Sequence, residues 1–167
     1  MKRKIVVMGV AGSGKSSVGS ALASLLGARF IDADDLHPPA NVVKMSGGTP
    51  LTDEDRWPWL EKVGSALLRD QGTCIVACSA LRRIYRDCIR DVAGEDVLFV
   101  FLSGERRVIE RRMQDRSDHF MPASLLESQF EALEPPRDDE VHVEIDIACT
   151  IRETVNLIDQ FLKSGTS

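Results

Sequence analysis

The sequence is short of several things, and each shortage excludes a class of protein. Apolar runs such as IVVM at 5–8 and LFVFL at 98–102 stop far below the roughly 20 residues that cross a bilayer, so no membrane partner is expected. The opening MKRKIVVMGV puts basic residues ahead of an apolar run, as a secretory signal does. Glycines and Lys15 end that run too early, however, so it reads as a first strand and a cytoplasmic location is expected. The four cysteines, Cys74, Cys78, Cys88 and Cys149, form no C-x-x-C pair and have only three histidines for company. Neither a zinc site nor a disulfide framework follows, and core thiols are expected. Positive charge is also lacking: 21 basic against 26 acidic side chains leave −5. That balance argues against a nucleic-acid partner held by phosphate neutralisation, yet leaves room for a small anionic ligand in a local basic pocket. No repeat, linker or low-complexity stretch interrupts the 167 residues, of which 43% are hydrophobic and 28% charged, so a single domain over 1–167 is expected.

What is present is an alternation of short apolar runs with amphipathic ones. Strand-like runs rich in Val, Ile and Phe fall at 4–8, 28–31, 73–78, 97–102 and 141–147. The first, third and fourth are apolar throughout rather than alternating, which requires both faces of the sheet to be covered. The expected fold class is therefore α/β, a parallel sheet wrapped by crossover helices. Val18, Ala21, Leu22, Leu25 and Leu26 mark a helix that stops at Gly27. Thr150 with Glu153 forms a capping box ahead of Ile151, Val155, Ile158 and Leu162. The stretch from His37 to Trp59, with four prolines, Gly47-Gly48 and two tryptophans, reads as an ordered loop that binds substrate.

Residues 9–16, GVAGSGKS, match G-x-x-x-x-G-K-[ST] directly between a predicted strand and a predicted helix. Gly9, Gly12 and Gly14 clear side chains away so that backbone N–H groups, Ser13 and Ser17 included, converge on phosphate oxygens at a helix N-terminus. Lys15 is expected to bridge the β and γ phosphates, and Ser16 to ligate Mg²⁺. The loop specifies a nucleoside triphosphate and nothing finer. No N-K-x-D motif is present, so ATP is favoured over GTP, and the third strand runs into Ser79 where many ATPases carry an aspartate for the metal. The second strand instead ends in Asp32-Ala33-Asp34, at the edge where open α/β sheets bind ligands. In extended backbone these two acids share a face, one for the metal's water shell and one for a substrate hydroxyl. The reading assigns Asp32 to the metal and Asp34 to the hydroxyl, which it orients and whose proton it accepts late in a loose transition state.

Arg106, Arg107, Arg111, Arg112 and Arg116 fall on a predicted helix whose Val108, Ile109 and Met113 face inward. Arg106 and Arg107 read as a solvated face. Arg112 and Arg116, four residues apart, read as phosphate-directed, because the polar DRSDHFMP that follows suits a mobile cover that excludes water. Transfer to an acceptor, rather than ATP hydrolysis, is the expected chemistry.

Taken together, these segments resemble the gluconate kinases, small P-loop kinases that phosphorylate D-gluconate on its 6-hydroxyl. The resemblance rests on GVAGSGKS, on DADDLHP at 32–38, NVVKMSGGTPLTDEDRWPWL at 41–60, CSALRRIYRD at 78–87 and HFMPASLLESQFEALEPP at 119–136. It implies a five-stranded parallel sheet of order 2-3-1-4-5, a lid near 113–137 and a homodimer. It also implies ATP and Mg²⁺ as cofactors and a sugar-acid pocket built from His37, Lys44, Arg56, Ser79 and Arg82. By the same resemblance Arg112 binds nucleotide and Arg116 is catalytic, with Lys15 and Asp34. Another small-acceptor kinase, shikimate-like or acting on a nucleoside monophosphate, is the alternative, against which DADDLHP and CSALRRIYRD argue. Ala11 stands where the family pattern has Ser, and Asp118 where it has Gly. Lys44, Arg56 and Arg82 suit a carboxylate-bearing acceptor better than a neutral polyol.

Overall fold

The computed structural model describes residues 1–115 and 123–165. In chain order the elements are β1 (Lys4–Met8), α1 (Lys15–Leu26), β2 (Arg29–Asp32), a 3-10 turn (Ala33–Leu36), α2 (Pro39–Ser46) and α3 (Asp53–Arg69). There follow β3 (Cys74–Ala77), α4 (Arg83–Ala93), β4 (Val97–Ser103), α5 (Arg106–Gln114), α6 (Ala123–Ala132), β5 (His142–Asp146) and α7 (Ile151–Ser164). The five strands are parallel and ordered β2-β3-β1-β4-β5, as the resemblance implied.

The pleat sorts the apolar strands onto two cores. Ile5, Val7, Ile75, Leu98 and Val100 face Val18 and Leu22 of α1, Ile109 of α5, and Val155, Ile158 and Leu162 of α7. Their sequence neighbours Val6, Met8, Cys74, Val76, Phe99 and Phe101 face Trp59, Leu60, Val63 and Leu67 of α3 and Tyr85 and Ile89 of α4. This two-sided cover is why these strands show no polar alternation. Both helix ends marked by the sequence occur as expected. Gly27 closes α1 with a left-handed φ of 62°, and Thr150 and Glu153 form a reciprocal capping box on α7.

Several expectations are corrected. The stretch 37–59 is mostly helical rather than a loop: α2 starts on Pro39, which suits a first helical turn, and α3 starts at a Thr52–Asp55 capping box and carries Pro58 in its first turns. Leu25 and Val108, expected to face inward, are 52% and 38% exposed. Of the four thiols only Cys74 and Cys78 are buried; burial raises them to about 11 and about 12, so they are inert. The lid expected near 113–137 falls partly outside the described residues, and Arg116 and Asp118 fall wholly outside them.

Candidate active site

β1 runs directly into the phosphate loop, whose conformation its glycines permit. Gly12 adopts φ 78°, and a Cβ there would sit 2.8 Å from the Met113 side chain of α5. The loop is braced from within. Ser13 N–H donates to the Val10 carbonyl at 3.2 Å, and Lys15 Nζ donates to the same carbonyl at 2.9 Å. Gly9 N–H donates to the Ser79 carbonyl at 3.3 Å, tying this loop to the one after β3. The first-turn N–H groups of α1 have no intrahelical acceptors and are ready for anionic oxygens. Burial pulls the Lys15 amine below its ordinary range, opposed chiefly by the negative charge of Asp34. The Ser13 side chain is buried, and its Oγ has no hydrogen-bond partner among the described residues.

The acid pair is built differently from the extended arrangement read in the sequence. Asp32 ends β2, but residues 33–36 turn at once into the 3-10 helix, and Asp32 Oδ1 caps it by accepting the Asp34 N–H at 3.0 Å. Its other oxygen, Oδ2, accepts the Ser16 hydroxyl at 2.9 Å. Asp32 therefore performs a capping role and still joins Ser16 in one patch of oxygen donors. Asp34 stands on the turn itself. Burial, then the charge of Asp32, raise its carboxyl above the usual aspartate value, while Lys15 and His37 pull the other way.

α3 holds that turn from behind. Trp59, 5% exposed, donates its indole N–H to the Ala33 carbonyl at 2.7 Å, and His37 stacks on the Trp59 ring at 4.2 Å. Burial lowers the His37 pKa, opposed by Asp34. The buried Asn41 of α2 bonds His37 Nδ1 at 3.2 Å and the Asp55 carbonyl at 2.9 Å. The two tryptophans of this stretch thus serve partly as scaffold: Trp57 meets the edge of Tyr85 at 5.9 Å.

A cleft of about 820 Å³ collects the phosphate side and the acid turn. Its lining includes Gly12, Gly14, Lys15, Ser16 and Ser17 from the loop, and Asp32, Asp34, His37, Arg56 and Ser79 across from it. Gly9, Ser13, Lys44, Arg82 and Arg112 are not among its lining residues. Lys44 pairs with Asp55 at 2.8 Å. Arg82 and Arg56 both reach Asp53, at 3.0 and 3.5 Å, and both lie over the Tyr85 ring, whose hydroxyl also donates to Asp53. Arg112 donates to the Ile147 carbonyl beyond β5, while Arg106 pairs with Glu110 on the helix surface.

Sequence reading missed three supports. Gln129 of α6, which also lines the cleft, accepts the Ala11 N–H at 2.7 Å. The loop after β3 rests on a buried ion cluster, in which Arg86 grips Glu140 in a bidentate pair at 2.8 and 3.0 Å and Arg90 adds a third contact at 3.0 Å. Arg86 Nη1 also donates to the carbonyls of Ala80 and Leu81, holding Ala80 at a left-handed φ of 43°. The Arg86 side chain lay within the quoted CSALRRIYRD, but nothing local to either residue announces a partner 54 positions away.

This combination, a phosphate loop after the central first strand of a five-stranded parallel sheet and a carboxylate facing it across a cleft, is the scaffold of a P-loop small-molecule kinase. A family model described as an AAA domain matches residues 5–136. The chain is 51% identical over 146 residues to the thermosensitive gluconokinase of Escherichia coli K12, covering 85% of this chain and 78% of that protein. It is 49% identical over 144 residues to the gluconokinase of Gluconobacter oxydans, covering 83% and 79%. The crystal structure of a gluconokinase from Sinorhizobium meliloti 1021 superposes with a TM-score of 0.86 at 46% identity, covering 99% of this chain and 98% of that one. The chain belongs to the gluconokinase family of P-loop kinases.

Proposed function

We propose that this protein transfers the γ-phosphoryl group of ATP to the 6-hydroxyl of D-gluconate, releasing 6-phospho-D-gluconate and ADP. The kinship supplies the acceptor; the observation that carries the mechanism is the shared cleft, where Lys15 and the loop amides stand against Asp34. The loop and Lys15 bind the triphosphate and take up charge on the transferring group. Asp34 orients the acceptor hydroxyl and takes its proton as the new O–P bond forms. Its raised affinity for a proton suits it to that step.

The Ser16 hydroxyl and Asp32 carboxylate, 2.9 Å apart, fit Mg²⁺, which takes few protein oxygens and completes its shell with water and phosphate. Bound there, the ion would neutralise phosphate charge. Ser16 and Asp32 would hold it, with Ser17 at the cleft edge.

Among Lys44, Arg56 and Arg82, only Arg56 lines the cleft, so Arg56 is assigned the gluconate carboxylate, with His37 and Ser79 beside the polyol. Lys44 and Arg82 support it indirectly, holding Asp55 and Asp53 at the start of α3. Kinship is likewise the support for Arg112 as a nucleotide ligand, for Arg116 as a catalytic group, for a homodimer and for a cytoplasmic setting. Among the described residues no helix is long and apolar enough to cross a membrane.

A coupled ADP-release assay across sugar acids tests the proposal. An unpaired charge of this kind costs about 2 to 5 kcal/mol when buried. Arg56 is partly exposed and already touches Asp53, which puts the effect at the low end. That corresponds to roughly 30-fold lower kcat/KM for glucose than for gluconate. Equal values for the two sugars would refute the charge pairing, and ADP release indifferent to every acceptor would refute the kinase reading.

A further inference from the structure

Most of α6 lies to one side of the chemistry, yet its chain touches both reacting halves of the cleft. Near the middle of the helix, Gln129 accepts the Ala11 N–H of the phosphate loop at 2.7 Å. Just past its end, Glu134 N–H donates to the Leu81 carbonyl at 2.8 Å, and the Glu134 carboxylate accepts the Arg83 N–H at 3.1 Å. Residues 81–83 follow Ser79 on the acceptor side, so α6 and the two residues after it reach both the donor loop and the acceptor loop. Leu126, 3% exposed, anchors that helix in the core cluster that also holds Val10 and Leu81. A direct bond between these loops, from the Gly9 N–H to the Ser79 carbonyl, is longer, at 3.3 Å.

The chemistry of residue 129 suits the place. A carboxamide oxygen meets the amide of Ala11 without setting a negative charge beside a triphosphate, whereas a hydrocarbon would leave that N–H unmet and a carboxylate would repel the nucleotide. The Ser13 amide is taken within the loop by Val10, whereas the Ala11 amide, like that of Gly9, is given to a neighbouring element.

We propose that Gln129 is a positioning residue for phosphoryl transfer, which through the Ala11 amide keeps the phosphate loop in register with the acceptor loop carried by Glu134. The inference rests on the kinase reading above. Register matters because an in-line transfer depends steeply on the separation of the reacting atoms, and a displacement of about 1 Å can lower the rate roughly 100-fold.

The test compares Gln129→Leu with Gln129→Glu in the full-length enzyme, with ATP turnover followed in the presence and absence of gluconate. Gln129→Leu is expected to lower kcat about tenfold and to raise the share of ATP lost to water, while KM for ATP stays within about threefold. Gln129→Glu keeps an acceptor for the Ala11 N–H and is expected to retain the wild-type partition between gluconate and water, with a higher KM for ATP. A merely structural residue would move melting temperature and not that partition. Wild-type kcat and partition in Gln129→Leu, or the same partition defect in both variants, would overturn the proposal. Amide exchange of Ala11 in the nucleotide-free wild type gives an arm independent of folding of the variants: slow exchange is expected, and exchange at the unprotected rate would also overturn it. A wild type without gluconate-dependent turnover would instead sink the acceptor assignment, leaving the exchange arm to judge Gln129.

Discussion

Replacing Glu140 by glutamine probes how the acceptor loop is held. The Glu140 side chain is fully buried, the Arg86 side chain is 1% exposed and the Arg90 side chain 7%. Glu140 accepts from Arg86 twice, from Arg90 once and from the Arg137 N–H. Glutamine preserves the shape but removes the charge, leaving the Arg86 guanidinium in the interior with no full counter-charge, while Arg90 keeps its pairing with Asp87. Breaking a buried pair in this way costs about 3 to 5 kcal/mol. At roughly 2 to 4 °C per kcal/mol for a chain of this size, the melting temperature should fall by roughly 6 to 20 °C. The pH dependence gives a second handle. Burial alone would raise the Glu140 carboxyl, but the hydrogen bonds and charge of Arg86, with the Arg137 amide and Arg90, outweigh it and bring the group down to about 2. A depressed carboxyl contributes stability that is fully present above the ordinary glutamate value and is lost as pH falls through the folded value of about 2. The gap between wild type and Glu140→Gln, read by calorimetry, should therefore be widest near neutrality and narrow below the ordinary glutamate range. Because Arg86 also holds the Ala80 and Leu81 carbonyls, KM for gluconate should rise more than KM for ATP. A loss under about 1 kcal/mol at neutral pH, or a gap unchanged on acidification, would refute the reasoning.

Other expected outcomes follow from the same geometry. Asp34→Asn should cut kcat by roughly 100-fold or more with ATP affinity near wild type, as measured by initial rates and nucleotide titration; a large loss of ATP binding would contradict its role on the acceptor side. Because burial and Asp32 raise the Asp34 carboxyl, the acid limb of the kcat profile should lie above the ordinary aspartate value, activity falling as pH drops through it, and Asp34→Asn should abolish that limb. Trp59→Phe leaves the Ala33 carbonyl without its indole donor and should destabilise by about 1 to 3 kcal/mol while raising KM for gluconate, checked by urea unfolding and kinetics. Gly12→Ala forces a Cβ against Met113 at a left-handed φ and should weaken ATP binding in a nucleotide titration.

The parts of this protein legible in the sequence are those written in adjacent residues. The phosphate loop is legible because its glycines, Lys15 and Ser16 act through backbone within one turn, and the capping box at Thr150 because both its bonds close over three residues. The apolar strands announced the covered parallel sheet. By contrast, the stretch 37–59 reads as a loop yet is mostly helical: Pro38 and Pro39 sit at the start of α2, where proline is tolerated, and α3 accommodates Pro58 inside the helix. Asp32 and Asp34 reach the cleft through a 3-10 turn rather than through the extended backbone their spacing suggests.

Sequence alone determined the nucleotide loop, the α/β class and the family, because each depends on local chemistry or on a linear pattern. Only the tertiary structure decided which arginine lines the cleft and which is drawn to Asp53 outside it, which acid holds Arg86, and which side chain meets the Ala11 amide. Those pairings join residues 29, 54 and 118 positions apart, and such contacts are fixed by the packing of helices on a twisted sheet rather than by any spacing along the chain.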